Sequence, residues 1–300
     1  MYVITGATGN TGHVIIKNLR AKGKPVRAIG RSAERLHPLA KQGAEPFVAD
    51  LTDCDALTRA FDGAQAVYVM IPPDPASADY RAQQDRITDA MAEAIEKSGV
   101  EYAVALSSYG ADKPDKTGPV VGLYRLEQRL RSLPGLNALA LRAGYLMENT
   151  LAQLEPIEAM GTTVGTVQPD LKLPMVATRD VGEAAAEALV RLDFGHWQTR
   201  ELLGQRDLTL PEATAIIGSA IGRPEIAYLR VAEDRFQNSL VQAGLSRNFA
   251  QLLTEMTEAM NSGWMRPLEP RSPRNTTPTS FEAFVAEKFV PSYRAKALAA

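Results

Sequence analysis

A chain of 300 residues, 45% hydrophobic and 23% charged, has an ordinary globular composition and room for one large or two unequal domains. Its formal net charge is −2 and it has no basic run, so nucleic-acid binding by this chain alone has little electrostatic support. No apolar run approaches the ~20 residues that a membrane span requires; the opening residues read as strand and glycine turn rather than a secretory signal, and the single cysteine, Cys54, excludes an internal disulfide and suits a reducing cytoplasm.

The chain opens on a short apolar strand over residues 2–5. Gly6-Ala7-Thr8-Gly9-Asn10-Thr11-Gly12 follows, then a helix beginning near Thr11 with Val14, Ile15, Ile16 and Leu19 on its apolar face. A dinucleotide's pyrophosphate needs this arrangement. Gly6 permits the tight turn, Gly9 lets phosphate oxygens approach the backbone, and Gly12 lets the helix pack on the strand. The helix start offers N–H groups and the positive end of its dipole to an anion, and Thr8, Asn10 and Thr11 add side-chain donors. The spacing is G-x-x-G-x-x-G rather than the commoner G-x-G-x-x-G, and its strand–turn–helix setting favours a nucleotide-binding βαβ unit over a structural glycine turn.

Strands are then expected over residues 25–30, 45–50, 66–71, 102–106 and 136–141, with helices over 53–61, 78–97 and 122–132. Pro72-Pro73 ends the fourth strand, Gly99 closes the long helix, and the fifth strand leads into Ser107-Ser108. Near-continuous apolar strands of this kind are buried on both faces. The reading is an α/β fold, a doubly wound parallel (Rossmann) sheet whose ligand lies beyond the carboxyl ends of the strands. Past Gly144 the alternation lapses. Helices are expected over 149–160, 179–191, 211–221, 233–244 and 246–262, a turn-rich stretch over 161–174, and a short strand over 227–231. A proline-rich segment over 265–279 is expected to cross the surface before a last helix over 280–289. The division expected is a nucleotide-binding domain over 1–150, with a return contribution near 175–205, and a smaller, mainly helical lobe over 151–300 interleaved with it.

The residue ending the second strand separates the two nicotinamide dinucleotides. An NAD site usually has a carboxylate there; this chain has Gly30, then Arg31-Ser32. Arg31 can pair bidentately with a 2′-phosphate and Ser32 can donate to it, so NADP(H) is expected in preference to NAD(H). Asp50, ending the third strand, can accept from the adenine amino group or cap the next helix. Cys54 lies between Asp53 and Asp55, which disfavours a nucleophilic thiolate. His13, His37 and His196 have no ligand spacing, and no metal is expected.

The Thr5–Gly12 opening, Arg27-Ala28-Ile29-Gly30-Arg31, Ala49-Asp50-Leu51, the run from Leu141 to Asn149, Ala177-Thr178-Arg179-Asp180-Val181 and Thr277-Pro278-Thr279-Ser280-Phe281 resemble the NmrA-like group of atypical short-chain dehydrogenases/reductases. The resemblance covers nearly the whole chain. It implies either an NADPH-dependent reductase of quinones or other small molecules, or a redox sensor that binds NADP without turnover. It also implies that the glycine loop holds the pyrophosphate and Arg31 the 2′-phosphate. Met70, Ile71 and Pro72 would then lie along the adenosine and ribose, and Ser107, Ser108 and Tyr145 would approach the nicotinamide. Typical members carry Tyr-x-x-x-Lys on the helix after strand five, the lysine lowering the tyrosine's pKa. Here those positions hold Pro119 and Leu123, and the lysine that precedes Glu127 by three in related proteins is Tyr124. Tyr124 and Tyr109 are the remaining candidate proton donors; Tyr145, Met147, Asn149, Trp197 and Trp264 are candidate pocket walls. The favoured function is hydride transfer from NADPH to a small, electron-poor acceptor, quinone-like, because water can protonate the stabilised anion that results. The alternative is a catalytically silent NADP(H) sensor with a protein partner. Isomerase or dehydratase chemistry on the same fold is a third option.

Overall fold

The computed structural model, which describes residues 1–299, alternates strand and helix through its first half. The elements are β1 (Tyr2–Ile4), α1 (Asn10–Ala21), β2 (Val26–Gly30), α2 (Ala33–Lys41), β3 (Glu45–Val48), α3 (Cys54–Phe61), β4 (Ala66–Val69), α4 (Tyr80–Ser98), β5 (Tyr102–Ser108), α5 (Val120–Arg131) and β6 (Asn137–Ala143). The pattern did not announce α2, because Pro38 interrupts it. The helix forms nonetheless: Ser32 caps it by accepting from the Arg35 N–H at 3.2 Å, and Leu36 and Leu39 anchor it in the core.

Beyond β6 come β7 (Tyr145–Leu146), a 3-10 segment (Met147–Gln153), α6 (Leu154–Met160), β8 (Thr163–Gly165), β9 (Leu173–Val176), α7 (Thr178–Arg191), β10 (Trp197–Leu202), β11 (Asp207–Leu208) and α8 (Leu210–Ile221). Then follow β12 (Tyr228–Arg230), α9 (Glu233–Gln242), α10 (Arg247–Asn261), α11 (Phe281–Phe284), a π turn (Val285–Phe289) and α12 (Val290–Ala299). The expected last helix therefore continues through a π turn. The mainly helical half also contains two small sheets, β11-β9-β7 and β12-β8; β12 is the short strand expected over 227–231, while β8 and the start of β9 fall in the stretch read as turns.

Seven parallel strands form the main sheet in the order β10-β6-β5-β4-β1-β2-β3. One face is covered by α1, α2 and α7 over Ile4, Ile15, Ile16, Leu139 and Val181, and the other by α3, α4 and α5 over Val3, Val67, Ile87, Met91 and Leu126. The strand order reverses at the β1–β4 seam, where this topology leaves a crevice at the carboxyl ends. β10 extends the sheet beside β6, and α7 crosses α1 closely enough that a Cβ on Gly182 would lie 2.8 Å from Val14 Cβ. No helix among the described residues is long and apolar enough to cross a membrane.

The proline-rich segment is inlaid rather than laid across the surface, which corrects the sequence reading. Asn275, Thr277 and Thr279 are buried. Two buried carboxylates hold it: Glu201 on β10 accepts from the Leu268 and Glu269 N–H groups, each at 2.9 Å, and Asp180 on α7 accepts from the Thr279 N–H at 2.9 Å and from its hydroxyl. Arg271 adds bonds to the Leu203 and Gly204 carbonyls and to Asp207. Composition marks this run as irregular, but not that its N–H groups find partners inside. Because Glu201→Ala leaves two N–H groups without their acceptor, it is expected to destabilise the fold by roughly 1–3 kcal/mol. Denaturant unfolding measures this, and a loss below ~0.5 kcal/mol would contradict the anchoring role.

Candidate functional site

The glycine turn is built from the β1–β4 seam. Thr5, fully buried, donates to the Tyr68 carbonyl at 3.0 Å and accepts from the Met70 N–H at 3.1 Å, so its hydroxyl fastens both strands at their carboxyl ends. Sequence reasoning passed over Thr5; a polar residue closing an apolar strand before a glycine was the available signal. Gly6 follows with φ +58°, and a Cβ there would lie 2.6 Å from Met70 Sδ. A Cβ on Gly12 would collide with the Gly6 carbonyl and come within 2.9 Å of Ala7 Cα, so α1 can seat on the turn only with glycine at this position. Gly9 differs: its φ is −84°, and an added Cβ would meet only the Gly6 carbonyl, at 3.2 Å.

Helix termini at this edge are treated differently. Side chains cap α2 and α3, through Ser32 and Asp53, and the α7 start is covered by Glu148, which accepts from the Thr178 N–H at 3.0 Å and its hydroxyl at 2.5 Å. No side chain caps α1. Its first-turn N–H groups and the positive end of its dipole stand free at the seam, beside exposed Asn10 and part-exposed Thr8. The Thr11 side chain is not turned outward as the sequence suggested. It is buried, and its hydroxyl accepts from the buried Tyr68 hydroxyl at 3.0 Å.

Along the seam, Arg31 is exposed and has no ion pair among the described residues. Ser32 spends an acceptor lone pair on α2 and keeps its O–H to donate. Asp50 does not cap α3; Asp53 does, accepting from the Ala56 N–H at 2.9 Å. Asp50 instead accepts from the Thr52 N–H and hydroxyl at 2.9 and 2.7 Å, and these bonds, with Arg31 nearby, hold its carboxyl below the usual range. Met70, Ile71 and Pro72 run on from β4 at the same edge, Ile71 buried and the other two part-exposed. The residues present thus fit a dinucleotide: an open helix start for the diphosphate and an unpaired guanidinium beyond it.

At the β5 and β6 ends, Ser107 is committed inward. It donates to Glu127 at 2.5 Å, and Arg142 binds the same carboxylate through Nε and Nη2 at 2.9 and 2.6 Å. All three are buried. Sequence reasoning used Glu127 and Arg142 as landmarks and missed their contact, because β6 and α5 meet only in the folded chain. Ser108 is part-exposed beside this network. Tyr145 and Tyr109 lie at the same end, against the second half.

The two proposed proton donors are not brought into the site. Tyr109 is buried, its hydroxyl 2.9 Å from Met260 Sδ, and burial raises its pKa. Tyr124 lines a groove of about 430 Å³ between α4 and α5 with Asp85, Thr88 and Gln128, on the helix layer rather than at the strand ends. The missing dyad leaves no substitute on this helix. Pro119 is the N-cap of α5, its carbonyl accepting from Gln84 at 2.9 Å, and the preceding Gly118 is pressed under Leu252 of α10. Of the expected pocket walls, Met147 is buried, Asn149 is exposed, Trp197 packs on the α3–α5 face, and Trp264 lies 4.7 Å from Lys113 Nζ with its ring half-exposed. Lys97 lies 3.8 Å from Cys54 Sγ, a neighbour that the two flanking carboxylates had not suggested. Among the described residues no three His, Cys, Asp or Glu side chains gather as metal ligands.

The NmrA-like family model matches residues 2–285. The chain belongs to the NmrA-like family. It is 28% identical to quinone oxidoreductase 2 of Escherichia coli (strain K12), over 88% of this chain and 89% of that protein. It is 24% identical to an NAD(P)H azoreductase of Xenophilus azovorans, over 85% and 86%. Among solved structures, the NADPH-dependent quinone oxidoreductase QOR2 of Escherichia coli, complexed with NADPH, matches with a TM-score of 0.82 at 25% identity, over 96% of this chain and all of that one.

Two glycine variants separate the roles assigned above. Gly12→Ala is expected to destabilise the protein by ~1–3 kcal/mol through overpacking of α1 on the turn. Gly9→Ala is expected to leave stability nearly unchanged while weakening dinucleotide binding at least tenfold, because its methyl group stands where phosphate oxygens must approach. Thermal unfolding and dinucleotide titration read the two effects. For the buried pair, Arg142→Ala should cost roughly 3–5 kcal/mol by leaving the Glu127 carboxylate uncompensated.

Proposed function

We propose that this chain is an NADPH-dependent oxidoreductase that passes hydride to a small, electron-poor acceptor of the quinone or azo class. The observation that carries the cofactor assignment is the uncapped α1 start with unpaired Arg31 beside it, at a strand end that has Gly30 in place of a carboxylate. Arg31 supplies a charge-assisted contact to a 2′-phosphate, the Ser32 O–H a second, and the α2 N-terminus behind them adds a favourable field. The acceptor class rests on the reductases that this chain resembles along most of its length and on the chemistry that remains. A positioned general acid contributes about 10²–10⁴ in rate. With Pro119 and Leu123 at the dyad positions, acceptors whose reduced form is a stabilised anion suit the site better than simple ketones. When bound, the reduced dinucleotide supplies the hydride; the protein binds it, orients it and shapes the acceptor side.

The packing of α10 over the dyad position also suits a silent dinucleotide sensor, so turnover decides between the two. NADPH oxidation is expected with quinones or azo dyes and to be slow with simple ketones. Tight NADPH binding without turnover of any acceptor would instead favour the sensor. NADPH is expected to bind more tightly than NADH, and Arg31→Ala to lose about 1–3 kcal/mol of that preference. Equal affinity of the unmodified protein for both dinucleotides would refute the 2′-phosphate role.

A further inference from the structure

Three tyrosines meet where the strand ends face the second half of the chain. Two have committed hydroxyls: Tyr109 to Met260 Sδ at 2.9 Å, and Tyr228 to the Val167 carbonyl at 2.8 Å. Tyr145 has no hydrogen-bond partner among the described residues and is only part-buried, so its hydroxyl opens onto accessible space. Its position is fixed. Gly144 passes so close to the Pro174 carbonyl that a Cβ would collide there, and β7 pairs Tyr145 with Met175 of β9. Strand alternation then sends the Tyr145 ring toward the second half and Leu146 into the α1–α7 layer. Of the other polar groups at this end, Ser107 is engaged with Glu127 and Lys113 with Asp112 at 2.7 Å, while the part-exposed Ser108 carries a shorter hydroxyl that also has no side-chain partner among the described residues.

We infer that the Tyr145 hydroxyl is the hydrogen-bond donor to the anion formed when hydride adds to a conjugated carbonyl or azo acceptor. This rests on the oxidoreductase reading above. In the step, a C–H bond of the reduced dinucleotide breaks, a new bond to hydrogen forms on the acceptor, and the electron pair displaced within the acceptor becomes an anion on oxygen or nitrogen. Tyr145 donates to that anion and keeps its own proton; water then delivers the proton that completes the reduction. Burial pushes the Tyr145 pKa up to about 12, which makes it a poor acid and a steady donor. A preorganised donor of this kind is worth about 10²–10³ in rate where fully buried, and less where part-exposed.

Tyr145→Phe removes only the hydroxyl. With a benzoquinone or an azo dye, kcat/KM of the full chain is expected to fall roughly 10- to 100-fold. A triarylmethyl carbocation dye receives hydride on carbon and leaves no anion, so its reduction should change less than about twofold. Tyr228→Phe, whose hydroxyl is held by Val167, should leave both reactions unaltered. A second readout needs no turnover: 4-nitrophenolate, a stand-in for the reduced anion, should bind the NADP⁺-loaded parent about tenfold more tightly than the variant, followed by its absorbance. An equal loss with both acceptor classes, or equal nitrophenolate affinity, overturns the role given to Tyr145. A parent chain that reduces no acceptor overturns the oxidoreductase reading instead, whatever the nitrophenolate result.

Discussion

Between Gly6 and Gly12 the backbone turns out of β1 and back into α1 with no room for a side chain at either end. Gly6 sits at positive φ against Met70, and Gly12 rests on the carbonyl of Gly6. That contact sets where α1 begins, and α1 begins with no cap. The starts of α2, α3 and α7 are closed by the chain itself, through Ser32, Asp53 and Glu148. A start left open at a seam where strand order reverses is an electropositive recess. The placement of Arg31, Asp50 and the β4 end around it follows from the sheet.

The seam is held by polar groups rather than by apolar packing alone. Thr5 bonds across to β4, and Tyr68 reaches from β4 to Thr11 on α1, so strand, turn and helix share one buried network. A second such network, Ser107–Glu127–Arg142, ties β5, β6 and α5 one strand further along. Buried ion pairs contribute little net stability against apolar replacements of the same shape. What these two provide is geometry: they fix the strand ends from which Ser108 and Tyr145 project.

The second half is bound to the first through backbone N–H groups. Glu201, on β10 of the main sheet, and Asp180, on α7 packed against it, take up the N–H groups of the proline-rich segment, and α10 covers the loop ahead of α5. That α10 contact falls on Gly118, immediately before Pro119, the first of the two dyad positions. With Pro119 and Leu123 at the dyad positions, the groups left to assist an acceptor are those at the strand ends, Ser108 and Tyr145.

Local pattern was enough for the α/β class and the glycine turn, because apolar periodicity and glycine spacing act over a few neighbouring residues. Helix α2 escaped because Pro38 breaks that local signal, although Leu36, Leu39 and the Ser32 cap suffice to form it. Contacts across long sequence separations decided the rest. Tyr109 and Tyr124 look equally available as donors in the sequence; packing buries one against Met260 and turns the other into the α4–α5 groove. The Glu127–Arg142 pair, the inlaid segment over residues 265–279 and the open hydroxyl of Tyr145 likewise exist only once distant segments meet. Hydrogen bonding and burial depend on which groups share space, and spacing along one chain does not encode that for elements a hundred residues apart.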